Sequence, residues 1–411
     1  RKYYNIRREI YSAKMKRFEF ILQYPKPLKS EDLADLIDIG SSGNFSRYSS
    51  DYVLDLEKDL ADYYNTNYSV TCTSGTAALH GCLVALDFPP SSEIIITPVA
   101  DIGVVLPVIY ENLIPVFGDL DPKTFNMSLE SIKEKVTNKT KAVIVVHLAG
   151  NPSDIEEIAK FCKANNLYLM EDFSQAHGAK FNKKKIGSFG DISYGSFQQS
   201  KQITCGEGGV IVTNSDELKR RSFIGVDKGW QRHLPLEERF YEFLAPNVRF
   251  NSVQAAILKP QISKLDLLIK EKIKRALILD EIFSKYKEVI SFQAKVDGAI
   301  SSYYSYPLYL NSKKDRDNLL KKLKSDYSLV CAYGYANPTT LYQCVNALIN
   351  PKKYGKGFAY SSKSYPLGTS PIAEDLLSRS FLIPFNENYS IPETEEIGYR
   401  VINASKDLGL I

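Results

Sequence analysis

The middle of the chain alternates short apolar runs with longer amphipathic stretches. Runs with the composition of buried strands occupy residues 93–97, 114–120, 142–148 and 167–171. The stretches at residues 77–86, 128–136 and 154–166 instead place apolar side chains at helical spacing. Because continuous apolar strands alternate with helices, the pattern predicts a mostly parallel sheet covered on both faces.

The pattern changes in the second half of the chain. Two β segments, 192–198 and 208–213, are joined through a glycine-rich turn, and a helical pattern later runs from Ser252 to about residue 287. Pro260 should kink or split that helix. Residues 290–411 mix charged helices with short strands such as 305–310. We expect three parts, listed by residue number: an N-terminal extension (1–30), a large domain (31–262), and a long helix with a small C-terminal domain (263–411).

The composition is that of an ordinary soluble globular protein. The 411 residues are 44% hydrophobic and 24% charged, and 52 basic and 48 acidic side chains leave a net charge of +4. Because the basic clusters are local and mixed with acidic residues, we expect no nucleic-acid partner. The most apolar long stretch, 94–110, is broken by Pro98, Asp101 and Pro107, so we expect no membrane span.

The cysteines and the N-terminus bear on the compartment. Six cysteines are scattered without a CxxC pair, which favours free thiols in a reducing cytoplasm over zinc sites or disulfides. The first twenty residues are charged and aromatic, without the pattern of a signal peptide. The chain opens at Arg1 rather than Met, so a fragment or a removed leader stays open.

Candidate chemistry lies where ligands of open α/β sheets bind, beyond the carboxyl ends of the strands. Residues 73–79, Thr-Ser-Gly-Thr-Ala-Ala-Leu, follow a short β-like run and open a helix. Small residues at a helix N-terminus bind anions such as phosphate, although the same residues also serve as ordinary helix caps.

Two further segments carry charged groups at strand ends. Residues 171–178 begin with Glu171 and Asp172 directly after a predicted strand. A carboxylate there could hold a protonated ring nitrogen, cap a helix or bind a metal. Lys201 lies between two apolar strands among small polar residues. An amine in such surroundings suits covalent chemistry with a carbonyl group, although most single lysines are solvated surface residues.

Taken together, these motifs resemble the sugar aminotransferases of the DegT/DnrJ/EryC1/StrS type. The resemblance covers roughly residues 45–265 and rests on the combination of SGTAAL, EDFSQAHGA, GSFGDI, SFQQSKQITCGEGG and NVRFNSVQAA. It implies the α/β fold of fold-type I pyridoxal-phosphate enzymes: three layers, a mostly parallel central sheet and a smaller C-terminal α+β domain. It also implies transfer of an amino group from an amino acid, glutamate or glutamine, to a keto-sugar that is nucleotide-linked.

The resemblance also implies a role for individual residues. Lys201 would bind pyridoxal phosphate covalently and later act as general acid and base. Asp172 would pair with the pyridine nitrogen, and Gln175 would hydrogen-bond beside the ring's 3-hydroxyl. The phosphate would be held by Gly75, Thr76 and Ser196 of the same chain and by Asn247 from a partner subunit, which makes the site a property of a homodimer. Arg249 could serve in place of Asn247.

Two features depart from the family's pattern. After Thr97 and Pro98 the family places an aromatic residue that stacks on the cofactor, whereas the third residue past the proline here is Asp101. Stacking would then come from elsewhere, or an aliphatic side chain would pack on the ring. The stretch 229–245, with Trp230, Arg232 and His233, resembles an insertion that either meets the substrate or forms a surface loop.

Three other functions remain to be distinguished. A nicotinamide dehydrogenase is disfavoured because no GxGxxG motif follows the early strands. A non-catalytic regulator or binding protein is disfavoured by the joint presence of Lys201, Asp172 and the phosphate motif. A sugar dehydratase of the same family would carry histidine in place of the lysine, so Lys201 favours transamination. The sugar, the carbon that is aminated and the amino donor stay open.

Overall fold

The computed structural model describes residues 16–21, 24–334 and 339–411. Of the expected N-terminal extension, residues 1–15, 22 and 23 therefore lie outside the described residues. The expected divisions at residues 30 and 262 stay predictions.

A seven-stranded sheet forms the centre of the large domain. In chain order its strands are β1 (Tyr68–Cys72), β2 (Glu93–Ile96), β3 (Ile114–Phe117), β4 (Thr140–Val146), β5 (Tyr168–Asp172), β6 (Ile192–Ser196) and β7 (Gly209–Thr213). Their order across the sheet is β1-β7-β6-β5-β4-β2-β3. Strand β7 is antiparallel to both neighbours, while the remaining pairs from β6 to β3 are parallel. The predicted mostly parallel sheet is confirmed.

Helices cover both faces of this sheet, because its strands are apolar on both sides. Leu79 and Cys82 of the helix Gly75–Leu86 are buried in the core on one face. Leu56 and Leu60 of Tyr52–Tyr64 are buried in the core on the other. This is the predicted three-layer arrangement.

The helices predicted between the strands are present in the large domain, together with helices that were not predicted. Gly75–Leu86, Leu129–Lys135 and Ile155–Ala164 correspond to the three predicted helices. The others are Ala34–Ser42, Tyr52–Tyr64, Leu106–Tyr110, Asp216–Gly225 and Ser252–Ile262.

The long helical pattern after residue 251 is split into two helices, as Pro260 predicts. The first, Ser252–Ile262, begins with a capping box between Asn251 and Gln254 and ends two residues after the proline. The second is Leu265–Ser284. Pro260 lacks a backbone donor and its ring crowds the preceding turn, yet the helix continues through it and ends at Ile262.

The C-terminal part forms a smaller α+β unit with its own core. Its antiparallel sheet has the order β8 (Ser291–Phe292), β9 (Pro307–Tyr309), β11 (Ser380–Leu382) and β10 (Ala332–Tyr333). Its helices are Leu265–Ser284, Lys313–Asp326, Leu341–Cys344, Asn346–Ile349, Pro351–Tyr354, Pro371–Arg379 and Ile391–Asp407. The predicted strand at 305–310 is β9. Across the described residues, no helix is long and apolar enough to cross a membrane.

A buried ion pair ties the start of the large domain to β1. The Arg47 guanidinium donates to both carboxylate oxygens of Glu57, at 2.7 and 3.0 Å. Glu57 also accepts the backbone N–H of Thr71 at 2.6 Å, and Arg47 donates to the Thr71 carbonyl at 3.2 Å. Because β1 leads directly into Gly75, this pair fixes the strand that carries one wall of the candidate site.

Replacement of Glu57 by alanine should destabilise the protein strongly, because it leaves the Arg47 guanidinium buried without its partner. We expect the free energy of unfolding, measured by urea denaturation, to fall by about 3–5 kcal/mol. Lys160→Ala is the matched control, since Lys160 and Glu157 form an exposed pair on a helix and such pairs contribute little. Equal effects of the two substitutions would contradict a structural role for the buried pair.

Candidate active site

A cavity of about 440 Å³ lies at the carboxyl edge of the central sheet. Strands β4, β5 and β6 end at this edge, and the helix Gly75–Leu86 begins there. Six of the seven residues predicted for the site line the cavity: Gly75, Thr76, Asp172, Gln175, Ser196 and Lys201. The structure therefore brings together residues that are up to 126 positions apart along the sequence, from 75 to 201.

Strand register explains how the floor of the cavity is built. Val146, Asp172 and Tyr194 are directly opposite one another on β4, β5 and β6. Further along, Ser196 of β6 pairs with Gly209 of β7. Parallel strands end at the same edge, so residues from distant parts of the sequence meet there.

The two neighbouring carboxylates, Glu171 and Asp172, point to different surroundings because side chains alternate along a strand. Asp172 lines the cavity, and its carboxylate accepts the Ser174 backbone N–H at 2.9 Å. Burial raises the pKa of Asp172, although Ser174 and the charge of Lys201 act in the opposite direction. The charged form of Asp172 is thus left incompletely stabilised.

Glu171 is held as a structural carboxylate on the other side of the strand. It accepts the backbone N–H groups of Gly187, Phe189 and Gly190 at 2.6 to 2.9 Å, and His147 lies at 3.2 Å. Burial alone would raise the pKa of Glu171, but the hydrogen bonds of His147 and the backbone donors outweigh burial and lower it. Of the two carboxylates, only Asp172 lines the cavity.

A cradle of small residues forms the opposite end of the floor. Ser74 caps the helix Gly75–Leu86 by accepting the Ala77 N–H at 3.0 Å. A Cβ atom on Gly75 would approach the Ser196 Cβ to 2.7 Å, and one on Gly209 would lie 2.2 Å from the Ser74 carbonyl oxygen. Glycine is therefore required at both positions, and backbone N–H groups at the helix N-terminus lie beside the cavity, as in phosphate sites.

Lys201 lies in the connection between β6 and β7. Its backbone N–H donates to the Gln198 carbonyl at 2.9 Å, which fixes the turn. The Nζ atom lies 4.9 Å from the centre of the Tyr304 ring. Within the described part of the chain the amine forms no ion pair or hydrogen bond, so it remains available to a ligand in the cavity.

Gln175 and His177 follow Asp172 on the same loop. The side-chain carbonyl of Gln175 accepts the Ala149 N–H at 2.9 Å, which orients its amide. His177 is buried behind the floor, where its Nδ1 accepts from Tyr64 at 2.6 Å and its Nε2 donates to the Ser196 carbonyl at 2.8 Å. Burial lowers the pKa of His177 to about 3, so it supports the cradle as a neutral ring.

Asn247, the seventh predicted residue, does not line the cavity of its own chain. It is exposed, and its backbone forms a bridge with Asp227. Arg249 is an ion-pair partner of the same buried Asp227, which also accepts from Arg232 and from the Tyr48 hydroxyl. Arg249 thus has a structural partner within its own chain, whereas the Asn247 side chain makes no hydrogen bond among the described residues.

The two departures from the family's pattern also have structural explanations. Asp101 lies at the cavity wall, where its carboxylate accepts the Gly103 N–H at 2.8 Å and caps a short turn. The neighbouring lining residues Ala100 and Val104 are aliphatic. In the 229–245 stretch, the Trp230 and Arg232 side chains stack at 3.9 Å, and His233 is exposed. None of these three lines the cavity.

The residues at the floor fit pyridoxal phosphate. The Gly75 cradle offers small residues and a helix N-terminus to a phosphate, and Asp172 offers a buried carboxylate to a cationic ring nitrogen. The Tyr194 hydroxyl is buried near Asp172, whose charge together with burial raises the pKa of Tyr194. Yet this hydroxyl forms no well-aligned hydrogen bond to any described residue. A polar group of a ligand in the cavity would supply such a partner.

Several lining residues were not anticipated from the sequence: Lys26, Tyr194, Lys272, Tyr304 and Glu387. Tyr194 could have been found, because it occupies the inward-alternating position two residues before Ser196 on the same strand. The other four come from the N-terminal segment and the C-terminal domain. No local motif marks them.

Comparison with known proteins agrees with this geometry. The sequence profile of the DegT/DnrJ/EryC1/StrS aminotransferase family matches residues 27–376. The chain is 33% identical over 289 residues to GDP-perosamine synthase of Escherichia coli O157:H7, covering 69% of this chain and 75% of that protein.

Solved structures share the fold. An aminotransferase from Psychrobacter cryohalolentis matches with a TM-score of 0.83 and 24% identity, covering 94% of this chain and all of that one. The E. coli GDP-4-keto-6-deoxy-D-mannose-3-dehydratase with bound hydrated PLP matches with a TM-score of 0.81 and 25% identity over 94% of this chain and all of that one. The predicted fold class and family are confirmed: the chain belongs to the DegT/DnrJ/EryC1/StrS aminotransferase family.

Proposed function

We propose that this protein is a pyridoxal-phosphate-dependent aminotransferase that moves an amino group from glutamate or glutamine to a nucleotide-linked keto-sugar. One observation carries the proposal: an unpaired lysine amine, a buried carboxylate and a small-residue cradle line the same cavity. The likeness to a protein named GDP-perosamine synthase supports a nucleotide-linked sugar as acceptor. Six free thiols support a reducing compartment, the cytoplasm.

Each residue then has a separate task around the cofactor. Gly75, Thr76 and Ser196 hold the phosphate, and Asp172 holds a proton on the pyridine nitrogen. When bound, pyridoxal phosphate supplies an electron sink next to the reacting carbon–nitrogen bond. Gln175, fixed by its bond to Ala149, orients the ring from the side.

Lys201 carries the proton between substrate atoms. Its amine is free of ion pairs within the described chain and lies over the Tyr304 ring, which limits contact with water on that side. A lysine amine held beside the reacting atoms can accept a proton from one substrate atom and return it to another.

The same residue separates the proposed reaction from its nearest alternative. The dehydratase relatives of this family use the same cofactor, and one of them shares the fold of this chain. The family resemblance implies that these dehydratases carry histidine at the position of Lys201. An amine at this position supports amino transfer.

Covalent labelling tests the assignment of Lys201. The protein incubated with pyridoxal phosphate should absorb in the visible, and borohydride should fix the cofactor on Lys201, because it reduces a carbon–nitrogen double bond to a stable amine. Mass spectrometry of the peptides identifies the labelled residue. The cavity contains two other lysines, Lys26 and Lys272, so a label on either, or labelling that persists in Lys201→Ala, would show that the assignment is wrong.

Asp172→Asn should leave a folded protein that transaminates poorly. Without the carboxylate, the pyridine nitrogen loses the partner that keeps it protonated. We expect kcat/KM to fall by an amount equivalent to roughly 2–4 kcal/mol of transition-state stabilisation. Turnover close to that of the wild type would mean that the carboxylate is only structural.

The stability of cofactor-free Asp172→Asn provides an independent check. Because the pKa of Asp172 is raised in the folded chain, the folded state binds this proton more tightly than the unfolded state. The stabilising contribution is therefore present at low pH and is lost as the pH rises through the folded pKa. At pH 7 the variant should be at least as stable as the wild type in urea denaturation. A less stable variant would indicate that the charge supports the fold.

The working unit is proposed to be a homodimer in which Asn247 reaches the phosphate of the partner subunit. Asn247 is exposed, has an unpaired side chain within the described residues and lies outside its own chain's cavity. The ion pair of Arg249 with Asp227 holds the segment in place. In a symmetric dimer, both sites would then be completed by the same interface.

Subunit complementation tests this arrangement. Lys201→Ala lacks the reactive amine, and Asn247→Glu places a negative charge against the phosphate, so each protein should be inactive alone. A mixed dimer has one site with both native residues, so an equal mixture should recover about a quarter of the wild-type specific activity when subunits exchange freely. Mixed dimers that co-purify through two tags yet stay inactive would show that each site is complete within one chain.

A further inference from the structure

The N-terminal segment forms part of the cavity wall. Phe18–Glu19 pairs in parallel with Leu329–Val330 of the C-terminal domain. Phe18 is buried, and its ring packs edge-on against Tyr389 at 5.6 Å. The described residues before and after this strand are thereby held at a fixed place, and Phe20, Tyr24 and Lys26 line the cavity.

The same segment contacts the loop that carries Lys201. The side-chain amide of Gln199 donates to the Tyr24 carbonyl at 3.0 Å. The Tyr24 hydroxyl lies 3.0 Å from that of Tyr389. Tyr24 thus connects the Lys201 loop to the C-terminal domain, and Lys26 follows two residues later.

The charges on this side of the cavity are unbalanced. Lys272 pairs with Glu387 at 3.1 Å, and both side chains are largely buried. Lys26 lines the same cavity, but within the described residues it has neither an ion pair nor a hydrogen bond. The charge of Lys272 is therefore balanced by an acidic partner, whereas that of Lys26 is not.

Burial and the neighbouring lysines disfavour the charged form of Lys26. Burial lowers the pKa of Lys26 to about 8; Glu387 opposes this effect, while Lys272 and Lys201 add to it. A partly desolvated lysine without an anion is unfavourable unless a ligand supplies one. Lys26 has no anionic partner among the described residues, so its ammonium group favours binding of an anionic ligand in the cavity.

We propose that Lys26 is a specificity-determining residue that binds an anionic group of a substrate, with Lys272 and Glu387 completing that side of the cavity. The proposal rests on the proposed function, which supplies two anions: the diphosphate of the nucleotide-linked sugar and the carboxylate of the amino donor. Both offer the charged oxygens that an ammonium group binds. Lys26 touches substrate and not the phosphate cradle, which Gly75 and Ser196 form on the floor.

Equilibrium binding to the cofactor-loaded protein tests the proposal. Calorimetry with GDP, UDP and glutarate as separate probes distinguishes the two anions, because glutarate carries only carboxylates. Lys26→Met should weaken binding of the relevant probe roughly tenfold or more, the loss expected for one charge-assisted hydrogen bond. Lys26→Arg should retain most of the affinity, since it keeps the charge.

Lys29→Met is the matched control, because Lys29 lies three residues away on the same segment and is exposed. It should bind all probes as the wild type does. A loss confined to the nucleotides assigns Lys26 to the diphosphate, and a loss confined to glutarate assigns it to the donor carboxylate. Unchanged binding of all three probes in Lys26→Met, or no binding of any probe by the wild type, overturns the proposal.

Borohydride labelling separates this outcome from a failure of the proposed function. Lys26→Met should still be labelled on Lys201, because the altered side chain belongs to the substrate side of the cavity. If the wild-type protein is not labelled on Lys201, it is the proposed function that fails. If labelling persists while binding is unchanged by the substitution, only the role of Lys26 fails.

Discussion

The burial of the Asp172 carboxylate at the end of β5 constrains the whole cavity. Burial of this charge raises the pKa of Asp172, although Ser174, the amine of Lys201 and the Tyr194 hydroxyl act in the opposite direction. Glu171, one residue earlier, shows what full stabilisation requires, since it receives three backbone donors and a histidine. The protein thus supplies more hydrogen-bond donors to the structural carboxylate of Glu171 than to Asp172, which faces the cavity.

Several buried polar groups around the cavity are paired with partners in the protein. The buried ion pair of Arg47 and Glu57 anchors β1, and neutral His177 braces the Ser196 carbonyl. These groups are well paired and lie just outside the cavity. Rigid support around a few poorly satisfied groups is the arrangement expected of a site that is organised before its ligand binds.

The sequence predicted the strands of the sheet, some of its helices and most of the floor, because each of these depends on local patterns. Continuous apolar runs marked the strands, Pro260 marked the helix break, and the position of Asp172 after a strand placed it at the carboxyl edge. Lys26 and Lys272 were missed for a physical reason. They reach the cavity only when the N-terminal segment and the C-terminal domain pack against it, and no periodicity records such a contact. The turn formed by Asp101 was likewise hidden, since its carboxylate accepts a backbone bond that composition does not reveal.

The single antiparallel strand in the sheet has a further consequence. Because β7 runs against β6, the loop that carries Lys201 leaves and re-enters the sheet at the same edge. A helical crossover would have carried the chain to the opposite edge before the next strand. Both ends of this loop are therefore clamped by ladder pairing, with Ser196 opposite Gly209. The side chain at the position of Lys201 can therefore differ without moving the endpoints of the loop, because those endpoints are fixed by backbone pairing.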